Sequence, residues 1–223
     1  MSPGRQVLAI LWKDLRAELR TRQVLSATCV FALLMVVIFS FGFDLRVDSL
    51  NAVAPGALWV TFVFAGVLQL NHAMAAEVED GRLQGLLLAP MERSTIYFAK
   101  FAGNLVFMLV VETLLLPIFT AVFNLGLLQP LLLLVVVLGT VGIAAAGTLL
   151  STVAVNTRAR EVLLPVLLFP VLLPVVISAV KATAGVLDGL PWADLSIWLS
   201  YLAGFDVIFL AVCYLTFDYV VES

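Results

Sequence analysis

The chain has 223 residues, 63% of them hydrophobic and 12% charged, with a mean hydropathy of +1.13. Soluble domains are about half apolar and about a quarter charged, so lipid is the solvent this composition fits. A net charge of −3 with no basic patch beyond short arginine clusters argues against a nucleic-acid surface, and two cysteines with a single histidine leave no disulfide framework, zinc site or histidine pair.

Residues 5–22, RQVLAILWKDLRAELRTR, put Leu8, Leu11, Trp12, Leu15 and Leu19 on one helical face, with Lys13, Arg16 and Arg20 largely opposite. That pattern predicts a helix lying in the membrane interface; the plainer alternative is an extension packed on neighbouring loops. The run 24–43 follows this charged stretch and is longer than the 7–15 residues typical of a signal-peptide core. It is predicted to stay as the first of six membrane helices, at about 24–43, 55–75, 98–121, 129–154, 162–180 and 198–217. Each is close to the ~20 residues that cross a bilayer core, and none alternates as a barrel strand would.

With the N-terminus inside, Arg5, Lys13, Arg16, Arg20, Arg22, Arg82, Arg93, Lys100, Arg158 and Arg160 fall on the cytoplasmic side, against Arg46 and Lys181 outside. This bias predicts that both termini are cytoplasmic, and it makes 76–97 a cytoplasmic loop. Within it, EVEDGRLQGLLLAP (Glu77 to Pro90) sets Glu77, Glu79, Asp80, Gly81 and Arg82 ahead of Leu83, Leu86 and Leu87. Apolar side chains in a polar frame suit a docking surface; the bland reading is a solvated loop with an interfacial leucine patch.

Inside the spans, Gly142 and Ala146, then Gly147 and Ser151, are small residues four apart that permit close helix contact, within the chain or between chains. Pro165, Pro170 and Pro174 predict a kinked or broken fifth span. Glu112 and Asp206 are intramembrane carboxyls, either functional groups or neutral hydrogen-bonded structural ones. His72, with Asn71 and Gln69, lies near the inner end of the second span, and Trp192, Trp198 and Tyr201 read as interfacial anchors. Cys29 and Cys213 read as small buried hydrophobes. No nucleophile–base set or metal cluster is legible, so an active transporter built on this chain would borrow its energy from a partner. The rival reading is a self-sufficient, gradient-driven transporter or channel using Glu112 and Asp206.

APGALWV at 54–60, EDGRLQGLLLAP at 79–90, LGTVGIAAAGTLLS at 138–151 and NTRAREVLLPVLLFPVLLP at 156–174 together resemble the CcmB family, the permease subunits of the cytochrome c maturation ABC transporter. The resemblance covers essentially the whole chain. It implies one all-α permease domain of ABC-2 type over residues 1–223, in the bacterial inner membrane. It also implies a CcmA-like ATPase partner, with two permeases and two ATPases. CcmC-like and CcmD-like membrane subunits, and indirectly the haem chaperone CcmE, whose haem-loaded form is released on ATP hydrolysis, complete the implied assembly. By this resemblance Glu77 to Pro90 is the segment that couples to the ATPase, with Arg158, Arg160 and Glu161 as a second contact. The chain itself is expected to have no catalytic centre, metal or directly bound cofactor, with ATP held by the partner. The resemblance supplies no haem ligand. The expected role is therefore converting ATP-driven motion into a shape change, rather than passing haem through this subunit.

Overall fold

The structure, a computed structural model, describes residues 3–21, 23–44, 50–79, 93–155, 157 and 160–222. Among the described residues there are seven helices and no strand: α1 (Pro3–Thr21), α2 (Gln23–Asp44), α3 (Leu50–Glu79), α4 (Arg93–Phe123), α5 (Pro130–Val155), α6 (Arg160–Leu187) and α7 (Trp192–Glu222). The last six contain runs long and apolar enough to cross a membrane: Val24–Gly42, Ala52–Ala73, Ser94–Phe123, Pro130–Ala154, Val162–Leu187 and Trp192–Thr216. These agree with the six predicted spans, and the differences have local causes.

The fifth span was expected to stop at residue 180, before Lys181, but α6 continues to Leu187. Lys181 points to the surface while Ala182, Thr183 and Val186 are buried, so one cation does not interrupt the packed face. The helix then ends in a Schellman motif. Gly189 takes a positive φ of 68°, its N–H donates to the Val186 carbonyl at 3.2 Å, and the Leu190 N–H donates to Gly185 at 2.9 Å. Pro191 follows, and α7 starts at Trp192, six residues before the predicted start of the sixth span. The α4–α5 connection is also short. Asn124 adopts φ 51°, and Pro130 opens α5, a first-turn position where its missing N–H costs nothing.

The helix α5 is the hub, packed by α3, α4, α6 and α7. It can touch four neighbours because its contact faces are nearly bare backbone. A Cβ on Gly139 would collide with the indole of Trp59 on α3, and one on Gly147 would collide with Leu70 of the same helix. A Cβ on Gly142 would lie 2.9 Å from Asp206 Oδ1 on α7 and 3.2 Å from Val175 Cγ2 on α6. Ala144, Ala145 and Ala146 are fully buried between these glycines. The predicted small-residue contacts are thus made within the chain. Two side chains meet one exposed backbone group at Ala145: Tyr97 Oη donates to its carbonyl at 3.2 Å, and Cys213 Sγ does so at 3.6 Å.

No break occurs at the proline run, where α6 is continuous through Pro165, Pro170 and Pro174. Each proline removes one backbone donor. However, Leu164, Leu168, Leu172 and Val175 form a buried stripe on the same helix, and packing by α3, α5 and α7 supports it along its length. Near its far end, Trp59 Nε1 donates to Thr183 Oγ1 at 3.0 Å, pinning α3 to α6.

The amphipathic α1 forms as predicted, with Leu8 and Trp12 of its apolar face outward, and it also buries a residue that the pattern did not single out. Ile10, which lies off the leucine stripe, is the buried one at 6% exposure, while Leu8 and Trp12 remain outward at 63% and 67%. The helix packs against α4, where Lys100 Nζ donates to Asp14 Oδ2 at 2.7 Å. Two faces are therefore in use: Ile10 and Asp14 on α4, Leu8 and Trp12 free for lipid. The pair is part-buried, a setting in which ion pairs contribute about 1 kcal/mol or less. Asp14→Asn is therefore expected to leave the six spans folded but to speed hydrogen exchange along residues 3–16 several-fold. Unchanged exchange there would show that Ile10 alone seats α1.

Candidate functional site

The contacts fix which helix ends lie together. Gln69, Asn104 and Thr148 meet at one level of α3, α4 and α5. Tyr97 and Cys213 meet α5 at Ala145. Trp59 meets Thr183 at the other end. The C-terminal ends of α3, α5 and α7 therefore share one side with the N-terminal ends of α4 and α6. The exposed Arg5, Lys13 and Arg16 of α1 are on this side too, and we call it the basic end.

The segment Glu77 to Pro90 leaves from this end. The loop expected over 76–97 is partly helical: α3 runs on through Glu79 and α4 begins at Arg93. Ala75, Ala76, Glu77, Val78 and Glu79 contain no helix breaker before Gly81. Glu77 and Glu79 thus sit on the backbone of the last turn of α3, and Arg160 and Glu161 on that of the first turn of α6. The side chains of these four residues lie outside the described residues, as do Asp80, Gly81, Arg82, Leu83, Leu86, Leu87, Pro90 and Arg158 altogether. Carboxylates in the last turn of a helix oppose the macrodipole, by roughly 0.3–1 kcal/mol each. Helix stability therefore does not account for Glu77 and Glu79.

The two intramembrane acids are buried, Glu112 at 4% and Asp206 at 6% exposure. Glu112 Oε2 accepts from Thr140 Oγ1 at 2.7 Å. Asp206 lies against Gly142, and neither of its oxygens has a hydrogen-bond partner among the described residues. Thr140 and Gly142 are two residues apart on α5, about 200° around the helix and about 3 Å along it. The acids therefore occupy one level of the bundle on opposite sides of α5, and the structure does not bring them into a shared site.

Sequence reasoning missed the polar chain beside Glu112. Gln69 Nε2 donates to Asn104 Oδ1 at 2.8 Å, Asn104 Nδ2 donates to Thr148 Oγ1 at 2.9 Å, and Thr148 Oγ1 donates to the Ala144 carbonyl at 2.7 Å. The available signal was Asn104, an amide inside an apolar span eight residues before Glu112 and so within reach of the same side. His72 is exposed on the last turns of α3 and Asn71 half-exposed, while Gln69 is buried. No group of three or more histidine, cysteine, aspartate or glutamate side chains gathers among the described residues. Trp192 and Tyr201 are exposed at the end opposite the basic one, as interfacial anchors require, and the Trp198 ring lies near that of Tyr201, tilted by 51° with centroids 6.1 Å apart.

Comparison with known proteins matches residues 5–222 to the family described as CcmB protein. The chain is 28% identical over 205 residues to Heme exporter protein B of Paracoccus denitrificans, covering 92% of this chain and 93% of that one. It is 26% identical over 194 residues to Heme exporter protein B of Pseudomonas aeruginosa, covering 86% and 87%. Against Heme exporter protein B of Bradyrhizobium diazoefficiens it is 29% identical over 188 residues, covering 81% and 82%.

Proposed function

Because this chain belongs to the CcmB protein family, we propose that it is the membrane permease subunit of a haem exporter, a subunit that performs no reaction itself and is driven by an ATPase bound at its basic end. That end is the cytoplasmic one by the positive-inside bias, in a bacterial inner membrane. The observation that carries the reading is the convergence there of the two segments marked as docking sites. Residues 77–90 run in the chain from the last turn of α3 towards α4 and residues 158–161 lead into α6, and α1 packs on α4 near its start. Acids placed against the dipole at the end of α3 are explained by a basic partner. Leu83, Leu86 and Leu87 supply the apolar part of the contact.

In this reading the ATPase resembles CcmA, two copies of each subunit assemble, and CcmC-like and CcmD-like subunits complete the complex that frees haem-loaded CcmE. ATP stays in the partner, and this chain holds no cofactor. Its work is mechanical: displacement of residues 77–90 and 158–161 moves α3, α4 and α6 about the hub α5. The separation of Glu112 from Asp206 by α5 weighs against the rival transporter that would use both in one path.

Affinity purification from mild-detergent membranes, with mass spectrometry and an ATPase assay of the eluate, tests the proposal. Co-purification of an ATP-hydrolysing subunit is expected, and Glu79→Lys with Asp80→Lys should reduce it at least tenfold while the permease elutes as a folded peak. Undiminished capture of the ATPase by that variant would remove residues 77–90 as the dock. Absence of any nucleotide-binding partner would remove the ATPase-driven reading.

A further inference from the structure

A small cleft opens between α2, α3 and α4. Thr28, Gln69 and Glu112, one from each helix, form its polar lining, and Phe62, Phe107 and Met108 are among its apolar walls. It holds about 10 Å³ of room for the centre of a water molecule, the size needed for about one water. Thr28 is 1% exposed and Gln69 4%, yet Thr28 Oγ1 and Gln69 Oε1 have no hydrogen-bond partner among the described residues. The other end of the Gln69 amide is fixed, because its nitrogen donates to Asn104. Glu112 is likewise held by Thr140 through one oxygen.

The unmet capacity selects the occupant. Gln69 Oε1 can only accept, and a hydroxyl such as that of Thr28 can donate or accept. What fills the cleft must therefore bring hydrogen atoms or positive charge. A hard metal cation takes six or more oxygen ligands, whereas only three side chains here offer oxygen and the remaining walls are apolar. A water molecule needs two to four partners, and three are present.

We propose that this cleft is a built site for a single water molecule, which donates to Gln69 Oε1 and to the Glu112 carboxyl and accepts from the Thr28 hydroxyl. The water joins Glu112 to the Gln69–Asn104–Thr148 chain, so that α2, α3, α4 and α5 share one polar network inside the bundle. The site exists only while α4 stays seated against α2 and α3. Parting α4 from them takes Glu112 away from the water's other two partners and leaves buried groups unpaired, so the network favours one packing of these helices. This inference stands independently of any ATPase partner.

The test uses the full chain purified in detergent micelles. X-ray radiolysis turns ordered water into hydroxyl radical, so Met108, 5% exposed, should be oxidised rapidly despite its burial. Oxidation should slow several-fold in Thr28→Val and in Gln69→Met, but not in Thr28→Ser, which keeps the hydroxyl. The thermal midpoint of Thr28→Val should fall by about 2–4 °C, the shift expected for losing one hydrogen bond in a chain of this size. For Thr28→Val a dry cleft gives the opposite sign, since that substitution would then delete an unpaired polar atom and raise the midpoint; Gln69→Met also breaks the bond to Asn104 and is read by oxidation alone. Such a rise, or Met108 oxidation at the parent rate in Thr28→Val, overturns the proposal. Where Thr28→Val fails to fold, Gln69→Met carries the oxidation readout, and Met108 oxidation at the parent rate in it overturns the proposal.

Discussion

Gly139→Val should leave almost no monodisperse protein in detergent extracts, and Trp59→Ala should cost about 3 kcal/mol. The two residues are the two halves of one contact. Trp59 is fully buried, its ring lies over the bare backbone of Gly139, and its Nε1 is committed to Thr183. The indole cannot slide from an added side chain without giving up that bond, so the usual overpacking cost of about 1–3 kcal/mol is a lower limit for valine. For Trp59→Ala the figure is set at the low end of the range for large core residues. Lipid tails are as apolar as the core, so the loss is packing and a cavity rather than transfer from water. The pair also predicts a sign. Gly139→Ala should destabilise the parent but stabilise the Trp59→Ala background, because there the methyl group fills the vacated space. Thermal unfolding followed by size-exclusion fluorescence measures all three, and additive effects would show that the contact between α3 and α5 is not what holds these helices.

Asp206→Ala should raise stability, by about 1–3 kcal/mol, the cost of leaving a buried polar group unsatisfied. Both carboxyl oxygens are without partners. Ionised, the group needs donors; protonated, it needs an acceptor for its O–H; neither is beside it among the described residues. Glu112→Ala is the contrasting control. It removes the 2.7 Å contact with Thr140, whose hydroxyl keeps the Val136 carbonyl at 2.7 Å, and should lower stability through the cavity left by a buried side chain. A more stable Asp206→Ala protein that no longer supports haem export would mean that Asp206 is kept for function at the expense of the fold. A less stable one would reveal a partner for the carboxyl.

The sequence carried the six spans and their order because each is a long apolar run, and apolar length is sufficient to locate a membrane helix. It carried the small-residue positions of α5 for a similar reason: Gly142 and Gly147 have no side chain to be misread. Ends were read less well. Lys181 looked like a boundary, yet its flexible chain reaches the surface from within α6. The proline run predicted a kink or a break, and α6 is not broken: its buried leucine stripe keeps it one continuous helix. The burial of Ile10, on the side away from the leucine face, depended on where α4 lies, which no periodicity within α1 encodes. The polar chain through Gln69, Asn104 and Thr148 draws on three helices 35 and 44 residues apart in sequence, and only their packing assembles it. The segment proposed to dock a partner shows a charge and leucine pattern, and that proposal rests on the pattern together with the family.

The outer turns have a mechanical meaning. The α6–α7 connection is closed by a Schellman motif and a proline, and the α4–α5 connection by a tight turn at Asn124. Each helix pair is thus a clasp hinged at the end away from the basic one. For a push at the basic end, as proposed, such short connections oppose sliding of one arm along the other and favour swinging of the arms about those turns. Displacement is then largest where the force is applied and shrinks towards the opposite face. Such a machine works as a pair of tongs: gripping is strong near the hinge, and travel is greatest at the handles.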